Sequence, residues 1–159
     1  MTRQVRVVVG SDDAGFTHKE AILADLRDDP RVASVVDLGV YADGLMNAAY
    51  PEVAVAAAKL IAAGGADRGV LVCGTGIGVA IAANKVPGVR ATVAHDTYSV
   101  ERSVLSNDCQ VLALGQRVIG VELARRLVSE WLGYTFDPSS PSNAKVAAIT
   151  AYEQEASGA

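Results

Sequence analysis

Apolar and polar positions change period repeatedly along the chain, and short β-type runs alternate with longer segments of helical spacing. Val5 to Val9 reads as a first strand, ending in the polar turn Gly10-Ser11-Asp12-Asp13-Ala14-Gly15 that leads into a helix over Phe16 to Arg27. Val32 to Leu38 is a second strand. Gly39 to Ala49 is a loop, and a helix follows over Tyr50 to Ala63, with Pro51 at a tolerated first-turn position and Gly64-Gly65 as its stop. Arg68 to Val72 is a third strand, Gly76 to Lys85 a helix, and Val89 to Ala94 a fourth strand after the Pro87-Gly88 turn. A helix over Thr97 to Ser106, a strand over Val111 to Leu114 and a helix over Val118 to Trp131 complete the alternation. Beyond the proline- and serine-rich stretch from Asp137 to Ser142, Ala144 to Glu155 forms a last helix that has no strand of its own to cover.

Strict βα alternation predicts an α/β fold: a three-layer αβα sandwich on a Rossmann-like, five-stranded parallel sheet. Residues 1–136 form the sheet domain, and 137–159 are a linker and C-terminal helix belonging to the same single domain. Val146, Ile149 and Tyr152 give that helix an apolar side, which packs on a partner subunit or folds back on its own sheet. The carboxyl edge of the sheet gathers the polar turns, Ser11 to Gly15, Gly39 to Tyr50, Cys73 to Gly78, His95 to Tyr98 and Gly115 to Arg117.

A length of 159 residues with 50% hydrophobic content fits one full core, and a net charge of −4 without a lysine or arginine cluster argues against nucleic-acid binding. No apolar run is long enough for a membrane span, and no secretory segment is recognisable at the start, so a cytoplasmic protein with both cysteines reduced is expected. His18 and His95 are isolated, which gives metal binding little support.

The densest chemistry lies in Cys73-Gly74-Thr75-Gly76-Ile77-Gly78. A buried-strand pattern delivers one thiol into a glycine-rich turn that opens a helix, where free N–H groups attract anions and favour thiolate over thiol. Cys73 is then a base or a nucleophile, or else a small core hydrophobe. The dinucleotide pattern G-x-G-x-x-G is not met, because Val79 and Ile81 stand where the last glycine belongs. Asp12 and Thr75 suit substrate contact, and equally suit capping of the helices they precede.

Together with Ser11 to Gly15, Tyr50-Pro51, Ala83 to Arg90, Ser106-Asn107-Asp108 and Gly115 to Gly120, this motif resembles the ribose-5-phosphate isomerase B / galactose-6-phosphate isomerase family over nearly the whole chain. The resemblance implies a homodimer with shared active sites, or a dimer of such dimers, acting on a small phosphorylated sugar with neither metal nor organic cofactor. It implies that Cys73 moves a proton between C1 and C2 through a cis-enediolate and that the N–H groups of Gly74, Gly76 and Gly78 hold the oxyanion. It further implies that Thr75 carries a proton between oxygens, and that Asp12, Asp13, Tyr50 and Asn107 bind substrate.

The departures narrow the substrate. Asp13 and Ser106 stand where the family usually has histidines, the second of which opens the sugar ring. A C-terminal arginine pair that binds phosphate aligns to Pro141 and Lys145, leaving Arg117 and Lys145 as phosphate ligands. A four-carbon sugar phosphorylated on O4 has no hydroxyl with which to close a furanose ring, so it does not need the missing imidazole. His95 to Ser99 and Leu105 to Asn107 look like a branch that interconverts D-erythrulose 4-phosphate and D-erythrose 4-phosphate. The competing expectations are a ribose 5-phosphate isomerase, with His95 as auxiliary acid/base, a non-catalytic sugar-phosphate-binding module, and a thiol enzyme using Cys73 as nucleophile.

Overall fold

The computed structural model describes residues 3–40 and 48–158. Most of the expected loop from Gly39 to Ala49 therefore lies outside the described residues. Five strands, β1 (Val5–Ser11), β2 (Val32–Asp37), β3 (Arg68–Cys73), β4 (Ala91–Val93) and β5 (Val111–Gly115), alternate with α1 (Phe16–Asp28), α2 (Tyr50–Ala62), α3 (Ile77–Ala83), α4 (Thr97–Leu105) and α5 (Val121–Leu132). The last helix, α6 (Ser142–Ser157), follows without a strand.

All pairings are parallel and the strand order is β2-β1-β3-β5-β4. β5 is inserted between β3 and β4, so the chain passes over one strand position on leaving β3 and returns to fill it. Alternate residues of the strands serve opposite faces. Val8, Leu71, Val111 and Ala113 meet α2 and α3, whereas Val7, Val9, Val70, Val72, Leu112 and Leu114 meet α1, α4 and α5. Both faces are covered, and this is why Val70-Leu71-Val72 reads as an uninterrupted apolar run rather than an alternating one. Each fully buried leucine of this set contributes about 2 kcal/mol.

Several boundaries differ from the sequence-based expectation. β3 runs through Cys73, which pairs with Gly115, and β1 runs through Ser11, which pairs with Val72, so both strands reach further toward the carboxyl edge. β4 is only Ala91–Val93, because Val89 is taken into a turn on the Val86 carbonyl. Asn84 compensates at this strand: its side chain donates to Ala91 O and accepts from Ala91 N, both at 2.8 Å. α5 begins at Val121, not Val118, because the Val118 and Ile119 N–H groups turn back onto the Gly115 carbonyl. α6 is longer than expected at both ends. It buries Val146 and accepts the Gly88 N–H on Glu153, while Ile149 and Tyr152 stay exposed.

Candidate active site

The strand order reverses between β1 and β3, and the crevice outside their carboxyl ends is where an open α/β sheet binds ligands. Two adjoining cavities, of about 440 and 510 Å³, occupy it and share Asp12, Ala14, Tyr50 and Arg117. Cys73, Gly74, Thr75, Ile77, Gly78 and Ile81 line the first, and Asp13 lines the second.

Cys73 is the last residue of β3, its side chain on the α2/α3 face. The Gly76 N–H donates to Cys73 Sγ at 3.0 Å, which holds the sulfur against the loop. The loop can fold so tightly only because of its glycines. Gly76 has φ +79°, and a Cβ there would lie 2.9 Å from the Leu114 carbonyl carbon. A Cβ on Gly78 would lie 2.7 Å from Tyr50 Cζ, so the tyrosine ring rests directly on the start of α3.

The segment after β5 is tied to the same loop. Gln116 N–H donates to Cys73 O at 2.9 Å and Arg117 N–H to Gly74 O at 3.0 Å. His18, buried in α1, braces the segment from behind, with its N–H on Gln116 Oε1 and its Nε2 at 2.8 Å from Ile119 O. The Arg117 guanidinium is thereby laid over Gly74, and no carboxylate pairs with it among the described residues. Such an arginine beside a thiol and a set of N–H groups offers an anion one charge and several donors.

Asp12 and Thr75 do cap their turns: Gly15 N–H donates to Asp12 Oδ1 at 3.1 Å, and Ile77 N–H to Thr75 Oγ1 at 3.2 Å. Both also line the Cys73 cavity, so capping and ligand contact are compatible. Asp12, Asp13, Tyr50, Cys73, Gly74, Thr75, Gly78 and Arg117 are thus brought together, and Gly76 supports them from beneath.

Three expected residues are not brought to this crevice within one chain. Asn107 follows α4 and lines a different cavity, of about 510 Å³, together with Asn84, Arg90, Arg102 and Ile149. Lys145 is exposed on α6. His95 does not line the crevice either, in contrast to its expected place as an auxiliary acid/base. Its Nε2 accepts the Gly115 N–H at 2.9 Å, which commits that lone pair to bracing β5, and partial burial moves its pKa down from the ordinary histidine value. Ile77 and Ile81 were not singled out from the sequence, although their four-residue spacing on α3 carries the signal: both are more than half exposed, and both border the cavity.

Cys109, the other cysteine, is buried, and burial pushes its thiol up to about 11. It lines the Asn107 cavity, away from Cys73, and so is not placed as a resolving partner for a thiol enzyme. No group of three or more His, Cys, Asp or Glu able to hold a metal occurs among the described residues, and no helix among them is long and apolar enough to cross a membrane.

An enclosed thiol, a glycine-rich loop and an arginine at the switch point of a parallel sheet define a small-molecule enzyme site of the α/β class. The ribose/galactose isomerase family matches residues 7–149, and the chain belongs to that family of isomerases. D-erythrulose-4-phosphate isomerase 2 of Mycolicibacterium smegmatis is 61% identical over 94% of this chain and 97% of that protein. Ribose-5-phosphate isomerase B of Escherichia coli is 41% identical over the same shares. Among solved structures, Clostridium thermocellum ribose-5-phosphate isomerase B superposes with a TM-score of 0.87 at 37% identity, covering 94% of this chain and 98% of that one.

Proposed function

We propose that the protein interconverts the aldose and ketose forms of a short phosphorylated sugar, with D-erythrulose 4-phosphate and D-erythrose 4-phosphate as the preferred pair. The observation that carries this reading is the Cys73 thiol, which accepts the Gly76 N–H at the wall of a crevice that also holds Asp12, Tyr50, Thr75 and Arg117.

Aldose–ketose isomerisation needs one base beside two adjacent carbons and donors for the oxyanion formed between them. The Cys73 thiolate takes a proton from C1 of the ketose. The C1–H electron pair becomes the C1=C2 bond, and the carbonyl pair moves onto O2, giving a cis-enediolate. Loop N–H groups stabilise that oxygen, an effect worth about 3 kcal/mol per donor. Thr75 relays the O1 proton to O2, and the Cys73 thiol returns its proton to C2 as the C1 aldehyde forms. Asp12 and Tyr50 hold substrate hydroxyls, and Arg117 draws the phosphate.

Ser106 supports the tetrose, since its hydroxyl does not titrate near neutrality and a chain phosphorylated on O4 has no ring to open. The relative 61% identical to this chain is named for the same substrate. Ribose 5-phosphate is the second reading, favoured by the relatives named for it at 41% and 37% identity.

The reading includes a homodimer in which Asn107 and Lys145 of a second copy complete each Cys73 crevice. The exposed Ile77 and Ile81 beside the crevice, and Ile149 and Tyr152 on α6, are apolar surface suited to that contact. A cytoplasmic setting fits the two free cysteines.

Steady-state kinetics on D-erythrulose 4-phosphate and D-ribose 5-phosphate, with Cys73→Ala as control, test the proposal. A kcat/KM at least ~100-fold higher for the tetrose, about 2.7 kcal/mol in transition-state binding, is expected, with turnover lost and binding retained in Cys73→Ala. Comparable or better use of the pentose refutes the substrate assignment, and an active Cys73→Ala refutes the mechanism.

A further inference from the structure

Arg102, on the last turn of α4, is the hub of the Asn107 cavity. Its carbonyl accepts both the Ser106 N–H at 3.0 Å and the Asn107 Nδ2 at 3.2 Å. Its guanidinium donates through Nη1 to Ser106 Oγ at 3.4 Å and through Nη2 to Glu101 at 2.6 Å, and it lies 5.9 Å from the centre of the Tyr98 ring. Arg90 holds Asn107 from the other side, its Nε donating to Asn107 O at 3.1 Å and to Asp108 O at 2.8 Å, and its Nη2 to the Asp108 carboxylate at 2.9 Å. Nε of Arg102 is buried without a partner, so the guanidinium is incompletely bonded and its direction is set by Ser106, Glu101 and Tyr98.

A hydroxyl has one proton and two lone pairs, whereas a guanidinium has only donors. Facing Arg102, Ser106 Oγ must accept, and its own proton points elsewhere. A positive charge behind the oxygen also makes that proton a stronger hydrogen-bond donor.

We propose that Arg102 is a positioning residue that turns the Ser106 hydroxyl proton away from the guanidinium and toward an oxygen of the substrate. It rests on the functional reading above, in which this half of the site meets the Cys73 crevice of a second copy. A hydroxyl turned in this sense donates to a carbonyl or enediolate oxygen.

A double-mutant cycle on D-erythrulose 4-phosphate, with D-ribose 5-phosphate alongside, tests the coupling. Arg102→Met and Ser106→Ala are each expected to lower kcat/KM about tenfold, and the double variant to lose about tenfold, not a hundredfold. Arg102→Lys restores part of the loss in the presence of Ser106 and none in its absence. Losses that multiply to about a hundredfold, or an Arg102→Met enzyme within twofold of wild type, overturn the proposal. If Arg102→Met does not fold, Arg102→Lys with and without Ser106→Ala is read in the same way. A wild-type enzyme inert toward both sugars overturns the functional reading and this proposal with it, whereas an active wild type with multiplicative losses overturns the role of Arg102 alone.

Discussion

Replacing Gly78 with alanine separates the site from the scaffold. The added Cβ would stand 2.7 Å from Tyr50 Cζ and 3.0 Å from Cδ2, where carbon atoms sit comfortably only at about 3.5–4.0 Å. The ring must therefore retreat by about 1 Å. It can do so, because Tyr50 is 42% exposed and has solvent on its far side. Gly78 lies in α3, where alanine is the better helix former by about 1 kcal/mol, which offsets the lost ring contact. Stability should then change by less than about 1 kcal/mol, seen as a melting temperature within about 3 °C of wild type. A misplacement of about 1 Å in a substrate-holding group costs up to ~100-fold in rate. The assay is kcat/KM for D-erythrulose 4-phosphate beside a thermal melt of the same preparation. Activity within twofold of wild type would refute the placement of Tyr50 in the site. Gly76→Ala provides the contrast. Its Cβ meets the Leu114 backbone, which has no room to yield, and its φ of +79° costs a side chain about 1–2 kcal/mol, so activity and melting temperature should fall together.

Lys19 is fully buried in α1 and bonds Asp37 at the end of β2 and the Val40 carbonyl beyond it. Lys19→Met takes this buried ammonium away from the half-buried Asp37 and from Glu20, and should cost about 3 kcal/mol, read as a lower urea midpoint with an unchanged slope. Hydrogen bonds from Arg6 hold the Asp67 carboxyl down to about 2. Because its folded pKa lies below its unfolded value, the stability it contributes is present above about pH 4 and is lost as pH falls toward 2. Asp67→Asn should flatten the acid limb of the stability profile in that window, and an unchanged limb would refute the assignment.

The alternation of strands and helices was legible because the central strands of this sheet are short, apolar and bounded by turn residues, and Cys73 stood out because a strand delivers it into a glycine-rich turn that opens a helix. Strand neighbours were not legible. Nothing local to Ala91–Val93 or Val111–Gly115 encodes that β5 inserts beside β3, since that choice is made by the packing of Val70, Leu112 and Leu114 against α5. The surroundings of His95 were illegible for the same reason. The residue reaches the carboxyl edge, as its position after β4 suggested, but β5 lies between β4 and β3, and its ring meets Gly115, the strand partner of Cys73. The double duty of Asp12 and Thr75 was only half visible, because capping is a local property while the shape of the crevice is not.

The strand order also explains why the expected site residues fall into two groups. Loops after β1 and β3 flank the switch point, and the loop after β5 joins them because β5 is the neighbour of β3. α4 leads from the edge strand β4 back to β5, so Arg102, Ser106 and Asn107 lie at the opposite end of that crossover, near the beginning of β5 rather than its carboxyl end. One chain therefore cannot bring Asn107 to Cys73 without unmaking the sheet. If both residues act on one substrate, two copies must meet with the α4 end of one against the α3 face of the other. In that proposed arrangement Ile77 and Ile81, exposed beside the crevice, would be covered by the second copy.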